Sequence, residues 1–238
     1  MVQLYNDFIL YTNQIANFDK AFELTKMLIN SIEPEHLIGY NFGRYTDEGE
    51  DHRAHISVRL DLDNDELISN VTEKLDEMRA NGDIDDFTYN SPLIPLFREY
   101  SINHKLAHEG STKCAFRFYE RKNQDPQEFQ EFTDNIVGFL REFTPLWLKH
   151  SGFTFNGVDT IAESESNLVN DLAEQCGCIF VSINQNEITN MYDFSERSIH
   201  IFLNCLGIPI NQDRTLGNEL ARRFGYNNYI HFLRDLRL

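Results

Sequence analysis

The chain has 238 residues, 41% hydrophobic and 25% charged, with 19 Phe and 10 Tyr against one Trp; one sizeable core, and so a single domain over 1–238, is expected. The formal net charge of −17 repels phosphate backbones, and no basic cluster exceeds Arg222 and Arg223, so no nucleic-acid partner is expected. Neither a basic leader nor an apolar run approaching the roughly 18 residues of a membrane span is present, and Cys114, Cys176, Cys178 and Cys205 lack a disulfide-framework spacing, which points to reduced thiols in a cytoplasm.

In chain order, residues 4–11 are β-branched and aromatic and read as a strand. Asn17 caps a helix with Phe18, Ala21, Phe22, Met27, Leu28 and Ile32 at helical spacing, closed before Pro34. Residues 38–45 and 54–60 form a hairpin around a polar loop with Gly49. In its second strand Ile56, Val58 and Leu60 alternate with His55, Ser57 and Arg59, so the polar trio shares one face, either wet or lining a site. A helix follows, capped by Asp63 or Asn64, with Leu67, Ile68, Val71, Leu75 and Met78 buried and Gly82 as its stop.

Residues 84–90 return as a strand, and the run 91–101, with two prolines, is irregular. Residues 102–121 read as a helix interrupted at Gly110. Asp125-Pro126-Gln127-Glu128 opens the next, with Phe129, Phe132, Ile136, Leu140 and Phe143 inward and Pro145 bending or ending it. Residues 151–163 read as loop with room for a short strand, 167–175 as helix, 176–183 as a buried strand or helix extension, 194–206 as a helix stopped by Gly207, and 216–238 as a last helix broken at Gly225. Strands interspersed with helices define an α+β class, with a mixed β-sheet and helices packed against it.

Chemistry-bearing patterns are few. His104 and His108 stand four apart on a helix, but HKLAHE lacks the general-base position of HExxH, so two exposed histidines and no metal are expected. Cys176-Gly-Cys178 lacks a partner pair and reads as two buried thiols. There is no phosphate-cradling glycine loop and no nucleophile elbow. What remains is basic: Arg44 at the end of the first hairpin strand, Arg59 on the polar face of the second, Arg98 in the irregular run, and Arg197, His200 and Asn204 recurring along one helix face. Taken alone, these residues are better accounted for as surface arginines beside a satisfied core histidine.

The segment Arg197-Ser-Ile-His200-Ile-Phe-Leu-Asn204-Cys-Leu-Gly207 resembles the C-terminal helix motif of the lantibiotic dehydratase C-terminal domain, the thiopeptide-type bacteriocin biosynthesis domain. The hairpin is similar too: Asn41-Phe-Gly-Arg44-Tyr45-Thr-Asp47, then His55-Ile-Ser-Val-Arg59-Leu. After Ala80-Asn-Gly82 the family has a strand and an Arg-Tyr-Gly-Gly signature, matched here by Phe87-Thr-Tyr89 through Phe97-Arg98-Glu99-Tyr100-Ser101. Ser57 stands where the family has an arginine, Cys205 where it has a basic residue, and the Gly-Gly after Tyr100 is missing.

The resemblance implies elimination of glutamate from glutamylated Ser or Thr of a precursor peptide, leaving dehydroamino acids without a cofactor. Such chemistry needs a base, a cationic site for the developing enolate and a fork for the departing carboxylate. Carried over, Arg59, Arg98 and His200 would be catalytic, and Arg44, His55, Ser57 and Asn204 would bind substrate. The alternatives are a non-catalytic domain of the same fold that binds a peptide or a partner protein, or an acidic structural protein sharing only the fold. A homodimer is compatible with each.

Overall fold

The computed structural model of the protein describes residues 5–15, 17–45, 54–90, 102–182, 188, 191–208 and 210–236. The chain divides into two compact units, Met1–Ser101 with Asn204–Gly207, and Ile102–Leu203 with Ile208–Leu238. The α+β class expected above holds. Among the described residues no helix is long and apolar enough to cross a membrane.

The first unit runs β1 (Asn6–Tyr11), α1 (Phe18–Ile29), β2 (Leu37–Tyr45), β3 (His55–Leu62), α2 (Leu67–Ala80), β4 (Asp86–Asn90). The spatial order β2-β3-β1-β4 is that of a split βαβ motif, in which each helix carries the chain across one strand. Among the described residues all three pairings are antiparallel, so the sheet there is not the mixed one expected: the β2–β3 hairpin sets β3 against β1, and each crossover skips a position.

Period-two alternation gives the sheet an apolar face of Phe8, Leu10, Phe42, Ile56, Val58 and Leu60, all fully buried. The stripes Ala21, Phe22, Leu24 and Leu28 of α1 and Val71, Leu75 and Met78 of α2 are buried with them. Phe22 meets Phe42 edge-on at 5.2 Å, and each such side chain taken from water contributes about 1.5–3 kcal/mol. Asn17 caps α1 by accepting from the Asp19 N–H. The helix stops at Ile29, short of Ile32, while Pro34 opens a 3-10 turn over Pro34–His36. Asn64 Oδ1 accepts from the Glu66 N–H ahead of α2, and Gly82 leaves it at φ +78°, as expected of a glycine stop. At the surface the His36 ring lies 3.0 Å from Asp63, and this hydrogen bond holds the imidazole's pKa above its usual value.

The second unit is helical: α3 (Ile102–Gln124), α4 (Pro126–Asp134), α5 (Ile136–His150), α6 (Asn167–Val181), α7 (Met191–Cys205), α8 (Ile210–Arg223) and α9 (Tyr229–Asp235). Its core is an aromatic cluster around Phe118, whose ring lies 4.9–6.5 Å from those of Phe129, Phe132, Phe139, Phe143 and Phe202. Trp147 joins it at 5.8 Å from Phe143. Burial of this cluster outweighs the local breakers. Gly110 does not interrupt α3, and residues 176–181 extend α6 rather than forming a strand. Gly177 permits that packing, since a Cβ there would meet His150 Cβ at 2.4 Å.

Two boundaries differ from the sequence expectation. Asn135 divides what reads as one helix: its backbone leaves the helical region, and its side chain accepts from Gly138 N–H to start α5. Pro145 does not end α5, which runs on to His150. A proline lacks the N–H that would bond the carbonyl four residues back, and that carbonyl, of Arg141, is taken by the Arg223 guanidinium at 3.0 Å. The break expected at Gly225 is present: at φ +80° it follows the end of α8, which starts at Ile210 rather than 216, and Asn228 caps α9 beyond it. The expected exposed histidine at 108 is instead 8% exposed, and Cys178 is exposed while Cys176 is buried.

Candidate functional site

Arg59 and Arg44 are expected to act together, but strand register separates them. In β3, Arg59 lies opposite Asn41 of β2 and Asp7 of β1, whereas Arg44 lies opposite Ile56. Opposed residues share a face and neighbours along a strand alternate. Arg44 therefore sits with Ile56, Val58 and Leu60 on the apolar face, and Arg59 with Ser57 and His55 on the other.

On the apolar face the Arg44 guanidinium is 5% exposed. It donates to the carbonyls of Phe18 at 2.8 Å, Asn17 at 3.2 Å and Ile15 at 3.5 Å. It also lies over the rings of Phe22 and Phe18, at 5.4 and 5.8 Å. Burial lowers its pKa to about 10, so it remains charged at neutral pH. Its job is to tie the β1–α1 connection to β2. Asn204 is engaged in the same place: Arg44 N–H donates to Asn204 Oδ1 at 2.8 Å, and Asn204 Nδ2 donates to Arg44 O at 2.7 Å. One carboxamide thus satisfies both outward backbone groups of a residue in an outer strand. Gly43 allows this approach, since a Cβ there would lie 3.1 Å from Asn204 Oδ1. Neither Arg44 nor Asn204 is placed to bind substrate as the resemblance implies.

On the opposite face Arg59 is 7% exposed. It donates to Tyr45 OH at 3.1 Å and to Asn41 Oδ1 at 3.4 Å, and its Nε lies 3.8 Å from Asp7 Oδ1. Ser57 Oγ donates to the same Asp7 oxygen at 2.6 Å. The His55 ring stacks on Tyr45, with centroids 5.0 Å apart. Arg59, Ser57 and His55 do come together as the alternation predicts. Asp7 and Asn41 are not recognisable from the sequence as their partners, because cross-strand pairing with β1 and β2 is not local. Asp7 supplies the opposing charge for Arg59, so its guanidinium is already held by the chain's own groups. Arg98 lies outside the described residues.

The other predicted residue, His200, lies in the second unit and lines a cavity of about 640 Å³ with Glu196, Arg197, Arg214, Asn218, Asn228, Tyr229 and Ile230. Glu196, Arg197 and His200 lie on α7, Arg214 and Asn218 stand four apart on α8, and Asn228, Tyr229 and Ile230 come from the start of α9, so three helices supply the walls. The helical spacing of Arg197 and His200 is visible in the sequence. The α8 and α9 contributions are not, because nothing local indicates which helix packs beside α7.

Among the described residues the polar lining of this cavity leans toward donors. Asn218 Oδ1 accepts from Tyr229 N–H at 3.1 Å, and Asn228 Oδ1 accepts from His231 N–H at 3.1 Å. Both amide oxygens are thus engaged in holding the α8–α9 joint, which leaves each amide its NH₂ group to offer. With two guanidiniums and an imidazole, the cavity presents donors, and Glu196 is the one carboxylate among the described residues of its walls. Such a lining suits a ligand rich in acceptors, a carboxylate above all.

No protein-family model matches the chain, and none of the curated proteins matches it.

Proposed function

We propose that this protein is a peptide-binding domain that holds a carboxylate-bearing segment in the cavity between α7, α8 and α9. The carrying observation is the gathering of Arg197, His200 and Arg214 with two donor amides in one cavity of a chain whose net charge is −17. That overall charge disfavours a polyanion at long range. A short segment bearing one or two carboxylates suits it better: local bidentate hydrogen bonds outweigh a diffuse repulsion that salt screens.

The test is direct binding of a fluorescein-labelled peptide with a central glutamate, measured by anisotropy. Arg197→Ala and Arg214→Ala are each expected to weaken binding at least about tenfold, as removal of one charge-assisted contact does. Absence of binding by the unaltered protein sinks the proposal.

Glutamate elimination, the activity implied by the resemblance to lantibiotic dehydratase C-terminal domains, is a second reading. An imidazole sharing a cavity with two guanidiniums favours it. Against it stand Arg44, bonded to backbone carbonyls, and Arg59, opposed by Asp7. Mass spectrometry of a glutamylated Ser peptide separates the two: loss of glutamate identifies a lyase, and retention with binding leaves the binding domain.

A further inference from the structure

We infer that the cavity reads two adjacent features of its ligand, a carboxylate and the bulky apolar side chain next to it; this rests on the carboxylate-binding reading above. Ile230 lines the same cavity as Arg197, His200 and Arg214, yet it is 52% exposed. A large aliphatic side chain left half in water at the rim of a cationic cavity is apolar surface that a ligand can cover.

Its neighbour Tyr229 makes the wall firm. The ring lies directly on Gly217 of α8, where a Cβ would come within 2.6–2.8 Å of three ring atoms. The Tyr229 backbone is fixed by Asn218 at 3.1 Å, and the ring stacks on buried Phe232 with centroids 6.3 Å apart. The Tyr229 part of the wall is therefore pre-set, and little freedom of that side chain is lost when a ligand is seated beside it. Arg197 on α7, Arg214 on α8 and the donor amides of Asn218 and Asn228, beside the aliphatic lip of Ile230 on α9, complement an acidic residue followed by Phe, Leu or Ile. A free amino acid or a small inorganic anion would leave the lip wet. The donor amides of Asn218 and Asn228 suit peptide carbonyls, which likewise favours a segment of chain over a free ion.

The experiment is calorimetric titration of the full-length protein with acetyl-Ala-Ala-Glu-Phe-Ala-Ala-amide, the same peptide with Ser for Phe, and free glutamate. The Phe peptide is expected to bind about tenfold more tightly than the Ser peptide, the amount gained by covering part of an aliphatic side chain, and free glutamate is expected to bind more weakly than either. Ile230→Ser should bring the Phe and Ser peptides within about twofold of each other. Equal affinity of the unaltered protein for the two peptides overturns the inference and leaves carboxylate binding standing, and so does a tenfold preference that survives Ile230→Ser. Binding of neither peptide overturns both.

Discussion

Two pairs of arginines in this chain share a residue type and differ in everything else. Arg44 and Arg59 lie on opposite faces of the antiparallel sheet of the first unit, at 5% and 7% exposure, each held by groups of that unit: backbone carbonyls and aromatic faces for one, Asp7, Asn41 and Tyr45 for the other. Arg197 and Arg214 of the helical unit line an open cavity. In the sequence the first pair has the stronger claim to chemistry, since it sits in recognisable strand motifs. The packing reverses that ranking. An arginine enclosed in the sheet by its own chain fixes a fold, whereas arginines on the wall of a cavity also face a space that a ligand can enter.

The largest expected effect breaks this contrast at Arg44. Arg44→Ala strips three backbone carbonyls of their donor and leaves a gap beside Phe18 and Phe22, so the midpoint of urea unfolding should fall by an amount equivalent to about 3 kcal/mol. Arg44→Lys keeps the charge but not the fork, and about half that loss is expected. A midpoint unchanged by Arg44→Ala would remove its structural role.

Arg59 comes next. Arg59→Leu should cost about 2 kcal/mol, because Asp7 keeps only its Ser57 hydrogen bond while losing its opposing charge, and peptide anisotropy should not change. Loss of peptide binding at full stability would move the site to the sheet. The control runs the other way: Arg214→Ala, at an exposed position, should alter stability by no more than about 0.5 kcal/mol.

The smallest effect concerns the exposed His36–Asp63 pair. The folded-state pKa of His36 is raised by its hydrogen bond to Asp63. Its contribution is therefore fully present below the unfolded value of about 6.5 and is lost as pH rises through the raised folded value. Thermal melts of the unaltered protein and His36→Gln should differ slightly at pH 5.5 and converge in mildly alkaline buffer. A difference that grows with pH would contradict the assignment.

The sheet was readable in advance because its signals are local. Alternation in 55–60 announced a polar face, and Asn17, Asp125 and Gly82 marked helix ends by chemistry confined to a few residues. Expectations failed where distant groups decide the outcome. Pro145 is tolerated because Arg223, far along the chain, takes the carbonyl it frees. Asn204 looks like a ligand for substrate and turns out to bond the backbone of Arg44. The cavity around His200 was half legible: one helix face is periodic in sequence, but its neighbours depend on packing.

The carboxamide of Asn204 has one more consequence. β2 is an outermost strand, and outermost strands offer free backbone groups onto which any extended chain can zip. At Arg44 both groups are taken by Asn204, and at Phe42 the carbonyl accepts from the Cys205 thiol at 3.2 Å. That stretch of the rim is blunted, so concentrated protein gains no template there for stacking one sheet onto the next.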